Sequence, residues 1–405
     1  MTRRSAGDVA AIAVFVVFAL SGLNFASWAA RFPAVRDALD VSPGQFGLLL
    51  LIGAAGSIVA LPLSGMVVER FGGRRTIAAF AILHVFGLLL AGVGVALGEI
   101  AVVLPAVVLV GIGAGVWDAA MNFEGAAVER VVARSLMPRF HAGFSVGTMV
   151  GAGLGALAAR LDLSVMTHLA IVLPVSLALT LFAVGRLLPD AETVGGEAAD
   201  RREGSSKGRA WAAWRERRTV LVGVIVLGAA LTEGAANDWI SLAVVDDFGV
   251  GDEIGALAFG VFVTAMTGMR WFWVGLLDRI GRVRSLMVVS ASALAGLTIF
   301  VLSPWLPLAL VGAVLWGMGA ALGFPVGMSA ASDDPVHAPA RLAVVSTIGY
   351  SAFLAGPTLL GFLADHVGYR WALAAVAVPV LIGLMVVRAA APLPATEPSA
   401  EPARD

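Results

Sequence analysis

The chain has 405 residues, of which 59% are hydrophobic and 14% charged, where soluble domains average about 45–50% and about 25%. So little polar surface cannot face water all round, so the solvent of this protein is mostly lipid. A net charge of −1 gives no global attraction to nucleic acid, and the absence of cysteine excludes disulfides, thiolate zinc sites and thiol catalysis.

A helical span needs about 20 apolar residues. Twelve such runs are legible, at 8–29, 45–68, 76–97, 101–127, 141–159, 165–187, 219–245, 254–277, 284–303, 307–330, 342–363 and 370–390. The first follows Arg3 and Arg4 but is too long for a signal-peptide core, so it reads as a retained helix. It carries Asn24 and Trp28, candidate substrate contacts. Between the second and third runs stands GMVVERFGGRR (65–75), in which Glu69 ends one helix, Gly72 permits a tight reversal, and Arg70 and Arg74 meet the interface.

The fourth run holds Trp117, Asp118 and Asn122, followed by Glu124, Glu129 and Arg130. An acid and an amide at i and i+4 share a helix face. An ionisable group inside a span costs roughly 2.5–3.5 kcal/mol on insertion scales and therefore calls for a partner or a role. Asp118 is read as a carboxylate that gains and loses a proton, the alternative being a structural hydrogen bond between helices. Glu124 and Glu129 are expected to pair with Arg130 and Arg134 in a charge network. In the fifth run Gly143, Gly147, Gly151 and Gly155 form a smooth ridge, read either as a sliding contact between halves or as plain close packing.

Residues 189–218 form the one clear linker, with thirteen charged residues in thirty. They divide the chain into 1–188, the linker, and 219–405. The seventh run then carries EGAANDW (233–239), where Glu233 and Asn237 repeat the acid-x-x-x-Asn frame of Asp118 and Asn122. Asp238 is expected nearer the wet mouth of the span, and Trp239, like Trp117, is a candidate for stacking on a solute. Arg270 is the one basic residue inside a run; it is a counter-charge for a carboxylate, a contact for an anionic solute, or a structural tie. VGLLDRIGRVR (274–284) repeats the earlier loop through Asp278, Arg279, Gly281 and Arg282. The GFSVG at 143–147 lies in an apolar run and lacks the strand-turn-helix elbow of a hydrolase nucleophile. The five histidines have no metal-ligand spacing; His84 and His168 read as packed residues, and His141 as a neighbour of Arg139 in the charge network.

Placing the N-terminus in the cytoplasm puts 22 basic residues on that side and only Arg31, Arg36, Arg160 and Arg370 on the other, as the positive-inside bias requires. The expected fold is an all-α membrane protein with twelve transmembrane helices in two pseudo-symmetric six-helix bundles. Duplicated helical halves are a transporter layout, with the solute bound between them near mid-membrane.

The two loop segments resemble the signature Gly-x-Leu-Ala-Asp-Arg-x-Gly-Arg-Lys of the major facilitator superfamily. The match falls on Gly65, Glu69, Arg70, Gly72 and Arg74, and again on Asp278, Arg279, Gly281 and Arg282, with Val274 at the first glycine position. ASWAARFPAVRDAL, HAGFSVGTMVGAGLG, EGAANDW and LWGMGAALGFP further resemble a bacterial inner-membrane branch labelled fucose-permease-like. Sugar–proton symporters of that type carry the acid-x-x-x-Asn frame on helix 4; they also carry an acid on helix 1, which this chain lacks before Pro33.

The resemblance implies the major facilitator fold and a secondary active transporter working by alternating access, in a bacterial inner membrane with both termini cytoplasmic. The expected partners are a small-molecule solute such as a sugar, protons and the lipid bilayer, with no nucleic acid. No cofactor or metal is expected, and the chain is taken as a monomer. Asp118 and Glu233 are the expected proton-coupling residues. Asn122, Asn237, Trp117, Trp239, Arg270, Asn24 and Trp28 are the expected substrate contacts. Glu69, Arg70, Arg74, Asp278, Arg279, Arg282, Glu124, Glu129 and Arg130 are the expected cytoplasmic gate network. Proton-driven efflux and a non-transporting receptor on a carrier fold are the alternatives.

Overall fold

The computed structural model describes residues 3–134, 136–189, 212–334 and 337–393, without the side chains of 3–5, 273–278 and 339. Most of the linker and the side chain of Asp278 therefore lie outside the described residues. The described regular structure is helical throughout: α1 Arg3–Ala29, α2 Phe32–Leu39, α3 Pro43–Phe71, α4 Gly73–Leu97, α5 Ile100–Val132, α6 Met137–Arg160 and α7 Val165–Val184. The later elements are α8 Arg217–Phe248, α9 Asp252–Ile280, α10 Arg282–Leu302, α11 Leu306–Ala320, α12 Gly323–Ala331, α13 Ala338–Val367, α14 Tyr369–Leu373 and α15 Ala377–Met385.

Eleven of the described stretches are long and apolar enough to cross a membrane, and Tyr369–Met385 is a shorter apolar one. Eleven of the expected spans thus reach spanning length among the described residues, and the twelfth is shorter and interrupted. A 3-10 turn at Ala374–Val376 separates α14 from α15. The tenth span is also broken, between Ala320 and Gly323, and that break matters for the site.

The helices up to α7 pack among themselves, α1 on α5, α6 and α7, and α5 on α3 and α4. Those from α8 onward do likewise, with α8 against α9, α12, α13 and α15. Two seams join the sets, α3 on α13 and α6 on α9. In the frames 65–75 and 274–284 the expected glycine reversals are present, with φ of 81° at Gly72 and 80° at Gly281.

The glycine ridge of α6 lies elsewhere than a sliding surface would. A Cβ at Gly143 would stand 2.9 Å from Phe15 O, one at Gly151 2.5 Å from Leu23 O, and one at Gly147 would collide with Ala19 O. The ridge faces α1 of its own set, so close packing wins over the sliding reading. Apolar side chains gain little over lipid by burial, so backbone contact of this kind is what holds two membrane helices together.

Candidate functional site

α8 and α9 each place one charged side chain in the same layer of the bundle. Arg270 Nη2 donates to Glu233 Oε2 at 2.9 Å, and Arg270 Nε donates to Ala321 O at 3.0 Å. That carbonyl is free because the residue four positions on is Pro325, which has no N–H to donate to it, and the span breaks there between α11 and α12. The break in turn lets α12 approach α8, since a Cβ at Gly323 would stand 2.5 Å from the Ala229 side chain. Arg270 is therefore a counter-charge and a tie at once. Asn237 lies half-buried one turn beyond Glu233.

On α5, Asn122 Nδ2 donates to Asp118 O at 2.9 Å and to Asp118 Oδ1 at 3.3 Å. The predicted acid–amide pair is thus formed on one helix face. The Asp118 side chain is accessible although protein surrounds it, which marks a wall of an internal space rather than an outer surface. Asn122 also lines a groove of about 320 Å³ with Ser64, Gly65, Val68, Ala119, Phe123 and Ala126. Around this space Asp118 acts on Tyr350 of α13, and Arg270 on His141 of α6, each across the two sets. His141 packs edge-on against Phe18, with ring centroids 5.2 Å apart, so it belongs to this space and not to a network with Arg139. Tyr350 continues into an aromatic wall, 5.9 Å from Phe324 and 6.3 Å from Phe353; none of the three was expected at the site.

The face that carries α2 is sealed by contacts between the sets. Four ring contacts run in sequence, Trp28–Phe32 at 6.0 Å, Phe32–Phe46 at 5.3 Å, Phe46–Trp239 at 6.1 Å and Trp239–Tyr369 at 5.7 Å. Around them Arg36 of α2 forms an ion pair with Asp246 and donates to the Tyr369 hydroxyl at 2.9 Å. Burial alone would lower the pKa of Arg36, but its bonds to Asp246 and Tyr369 outweigh that and hold it above the usual arginine value. Asp365 of α13 accepts from Gly44 N at 3.1 Å and so caps the start of α3 from across the seam. Gly361 sits against Pro43 O, where a Cβ would approach to 2.5 Å.

These contacts reassign several expected solute ligands. Trp28 and Trp239 are buried in the seal. Trp117 is buried against His84 between α5 and α4, with centroids 5.7 Å apart; it turns away from the space that Asp118 faces. Asn24 is fully buried on α1. Aromatic type and sequence neighbourhood did not predict direction, because residues adjacent on a helix point about 100° apart.

On the opposite face the two loop frames perform equivalent work. Arg74 donates to Val184 O at 3.2 Å and Gly185 O at 3.0 Å, and Arg282 donates to Ala390 O at 3.3 Å. Arg74 caps the end of α7, and Arg282 caps the 3-10 turn Val387–Ala390 that follows α15, where unsatisfied carbonyls favour a cation. This recurrence of contact, from arginines two residues after Gly72 and one after Gly281, marks an internal duplication. The profile described as Major Facilitator Superfamily matches residues 13–338 and again 239–405. The chain belongs to the major facilitator superfamily.

An uncharacterised transporter of Sinorhizobium fredii is 31% identical over 374 residues, covering 90% of this chain and 96% of that one. A crystal structure of a variant of the nucleoside transporter NupG superposes with a TM-score of 0.76 at 13% identity, over 94% of this chain and 99% of that one. The fucose:proton symporter of E. coli superposes with a TM-score of 0.62 at 14% identity, over 94% and 98%. The chain is therefore a multi-pass membrane transporter of this superfamily.

The transporter's charge network on that face differs from the expected one. Glu129 accepts from Leu136 N and from Met137 N, the latter at 2.8 Å, so it caps α6 rather than pairing with Arg130. Arg134 pairs with Asp8 at 3.1 Å. Glu124 is fully buried against Gly73, at the start of α4. Glu69, Arg70, Arg130 and Arg279 are exposed, and Arg70 lies over the Phe71 ring at 5.7 Å. In the second set Asp333, which was not singled out, joins Arg218 at 2.7 Å and Arg282 at 2.9 Å.

Arg36, Asp246 and Asp365 were also missed. Asp365 had a legible signal: DHVGYR (365–370) repeats the acid-x-x-Gly-x-Arg spacing of ERFGGR (69–74), and Gly368 has φ 80° like Gly72 and Gly281. Asp238, expected nearer the wet mouth of the span, is half-buried, and among the described residues no hydrogen bond or ion pair reaches it.

Proposed function

We propose that this transporter moves a small polar solute, such as a sugar, through an inner membrane by alternating access, coupled to protons. The single observation that carries the reading is the ion pair of Glu233 with Arg270 at 2.9 Å beside a broken helix. A charged pair and free backbone at membrane depth are tolerated where they line a transport site. Asp118 supports the coupling, because it faces the same interior with an amide but no cation as its direct partner. The aromatic wall of Tyr350, Phe353 and Phe324 offers apolar faces on which a ring can stack.

In this reading the termini are cytoplasmic, the α2 face is periplasmic, and the seal represents the outward-closed state. The relative named a fucose:proton symporter favours import of a sugar-like solute with protons over efflux.

The test is uptake into proteoliposomes from a panel of radiolabelled sugars and nucleosides, with and without an imposed inward proton gradient. At least one solute is expected to accumulate only with the gradient, and Asp118→Asn is expected to abolish the accumulation. Gradient-independent behaviour of wild type and variant alike rejects proton coupling.

A further inference from the structure

Asp238 is the carboxylate that the Glu233–Arg270 pair leaves out. It lies one turn beyond Gly234, at which a Cβ would stand 3.1 Å from the Phe353 ring of α13. It also lies three residues before Ser241, whose hydroxyl donates to Gly255 O of α9 at 3.1 Å. Residues three and four apart share a helix face, so Asp238 occupies the sector of α8 between α13 and α9. α8 runs towards the α2 face, and five residues at about 1.5 Å each place Asp238 roughly 7 Å closer to that face than Glu233. The next residue, Trp239, is part of the seal. Asp238 therefore stands directly beneath the seal, between it and the ion pair.

The ionisable groups on the elements packed against α8 are engaged elsewhere. On α9, Arg270 bonds Glu233, and Asp252 lies in the fields of Arg31, Arg36, Asp37 and Glu253. On α13, Arg341 bonds Glu216, Asp365 bonds Gly44, His366 bonds Phe362, and Tyr350 feels Asp118. On α14, Tyr369 bonds Arg36 of α2, and the backbone N–H of Arg370 bonds Asp247. None of these groups acts on Asp238, and no described hydrogen bond or ion pair reaches it. A carboxylate at membrane depth with no cation or donor beside it calls for a partner or a role. A proton is a partner that this geometry admits.

We propose that Asp238 takes up the proton from the α2 side when the seal opens, while Glu233 stays bonded to Arg270. The inference rests on the proton-coupled reading above and names the group that does the coupling in the second set of helices. Opening the seam moves Phe46 away from Trp239 and uncovers Asp238 first; the ion pair lies one layer deeper. The cross-seam contacts of Arg36 and Asp365 thereby control when this carboxylate meets outside water.

The experiment is infrared difference spectroscopy on lipid nanodiscs, comparing acid and alkaline buffer, with wild type, Asp238→Asn, Asp238→Glu, Asp118→Asn and Glu233→Gln. A protonated-carboxyl C=O band that titrates in wild type is expected to lose about half of its intensity in Asp238→Asn, the rest belonging to Asp118. It is expected to shift in Asp238→Glu, which retains a titrating group, and to remain intact in Glu233→Gln. A band that survives Asp238→Asn undiminished, or that is lost in Glu233→Gln, overturns the assignment while leaving proton coupling standing. A wild-type spectrum with no titrating carboxyl band overturns both.

Discussion

Glu233 and Arg270 form a 2.9 Å ion pair between α8 and α9, and Arg270 reaches on to Ala321 O at the break in the tenth span. One arginine thus joins three spans through one carboxylate and one backbone carbonyl. Both side chains are partly accessible, at 24% and 31%, so water tempers the pair's strength but does not replace it. Glu233→Gln is expected to lower stability by about 1–3 kcal/mol by stranding the guanidinium. Glu233→Gln with Arg270→Gln is expected to recover part of that loss, which a double-mutant cycle of thermal midpoints measures. Strict additivity of the two changes contradicts the pairing.

The helix-contact ridge predicts a contrast within one helix. Gly147 has no room for a Cβ beside Ala19 O, whereas Gly153 has nothing within 4 Å. Gly147→Val should abolish the monodisperse peak in size-exclusion chromatography. Gly153→Ala should leave it unchanged and raise the thermal midpoint slightly, through the ~1 kcal/mol helix preference of alanine.

The seal makes a conformational prediction. Arg36→Gln with Asp365→Ala removes the ion pair to Asp246 and the cross-seam bond to Gly44 N while leaving the aromatic ladder in place. Spin labels at Ala38→Cys and Leu308→Cys should report a longer-distance population that is minor in the otherwise unaltered protein. The native chain has no cysteine, so the labels are unambiguous. An unchanged distance distribution would show that the rings alone hold the face shut.

Asp333 and Asp8 should behave differently although both sit in ion pairs on the same face. Asp333 is 13% accessible and serves two arginines, whereas Asp8 and Arg134 are about half exposed. Asp333→Asn should cost about 2–4 kcal/mol, because two guanidinium groups lose their shared partner. Asp8→Asn should stay within about 0.5 kcal/mol. Thermal unfolding of both variants decides the point.

Glu216, just ahead of α8, gives a pH dependence with a definite sign. Burial pushes its pKa up, but the bonds from Arg341 and Thr219 outweigh this and hold it below the usual glutamate range. A depressed folded-state pKa contributes stability above the unfolded value, and that stability is lost as the pH falls through the folded one. The difference in thermal midpoint between wild type and Glu216→Gln should be constant at neutral pH. It should shrink as acid is added below the ordinary glutamate pKa of about 4.3. A difference that grows with acid refutes the sign.

Much of this was readable in the letters, for physical reasons that act locally. Runs of about 20 apolar residues had to span, Gly72 and Gly281 had to permit reversals, and Asp118 and Asn122 had to meet because i and i+4 share a face. The frames around Arg74 and Arg282 announced a duplication that the capped carbonyls of Val184 and Ala390 express. What the letters could not supply was direction around a helix and partnership across the seam. Trp117, Trp239 and Trp28 are alike as residues, yet one packs on His84 and two close the α2 face. Glu233 and Asp238 stand five residues apart on one helix; tertiary packing gives the first an arginine and leaves the second with none. Periodicity and turn chemistry depend on neighbours in sequence, so the sequence alone determined the spans, their repeat and the superfamily. Which carboxylate is neutralised, and which face is shut, depend on side chains more than thirty residues away, and only the tertiary structure decided those.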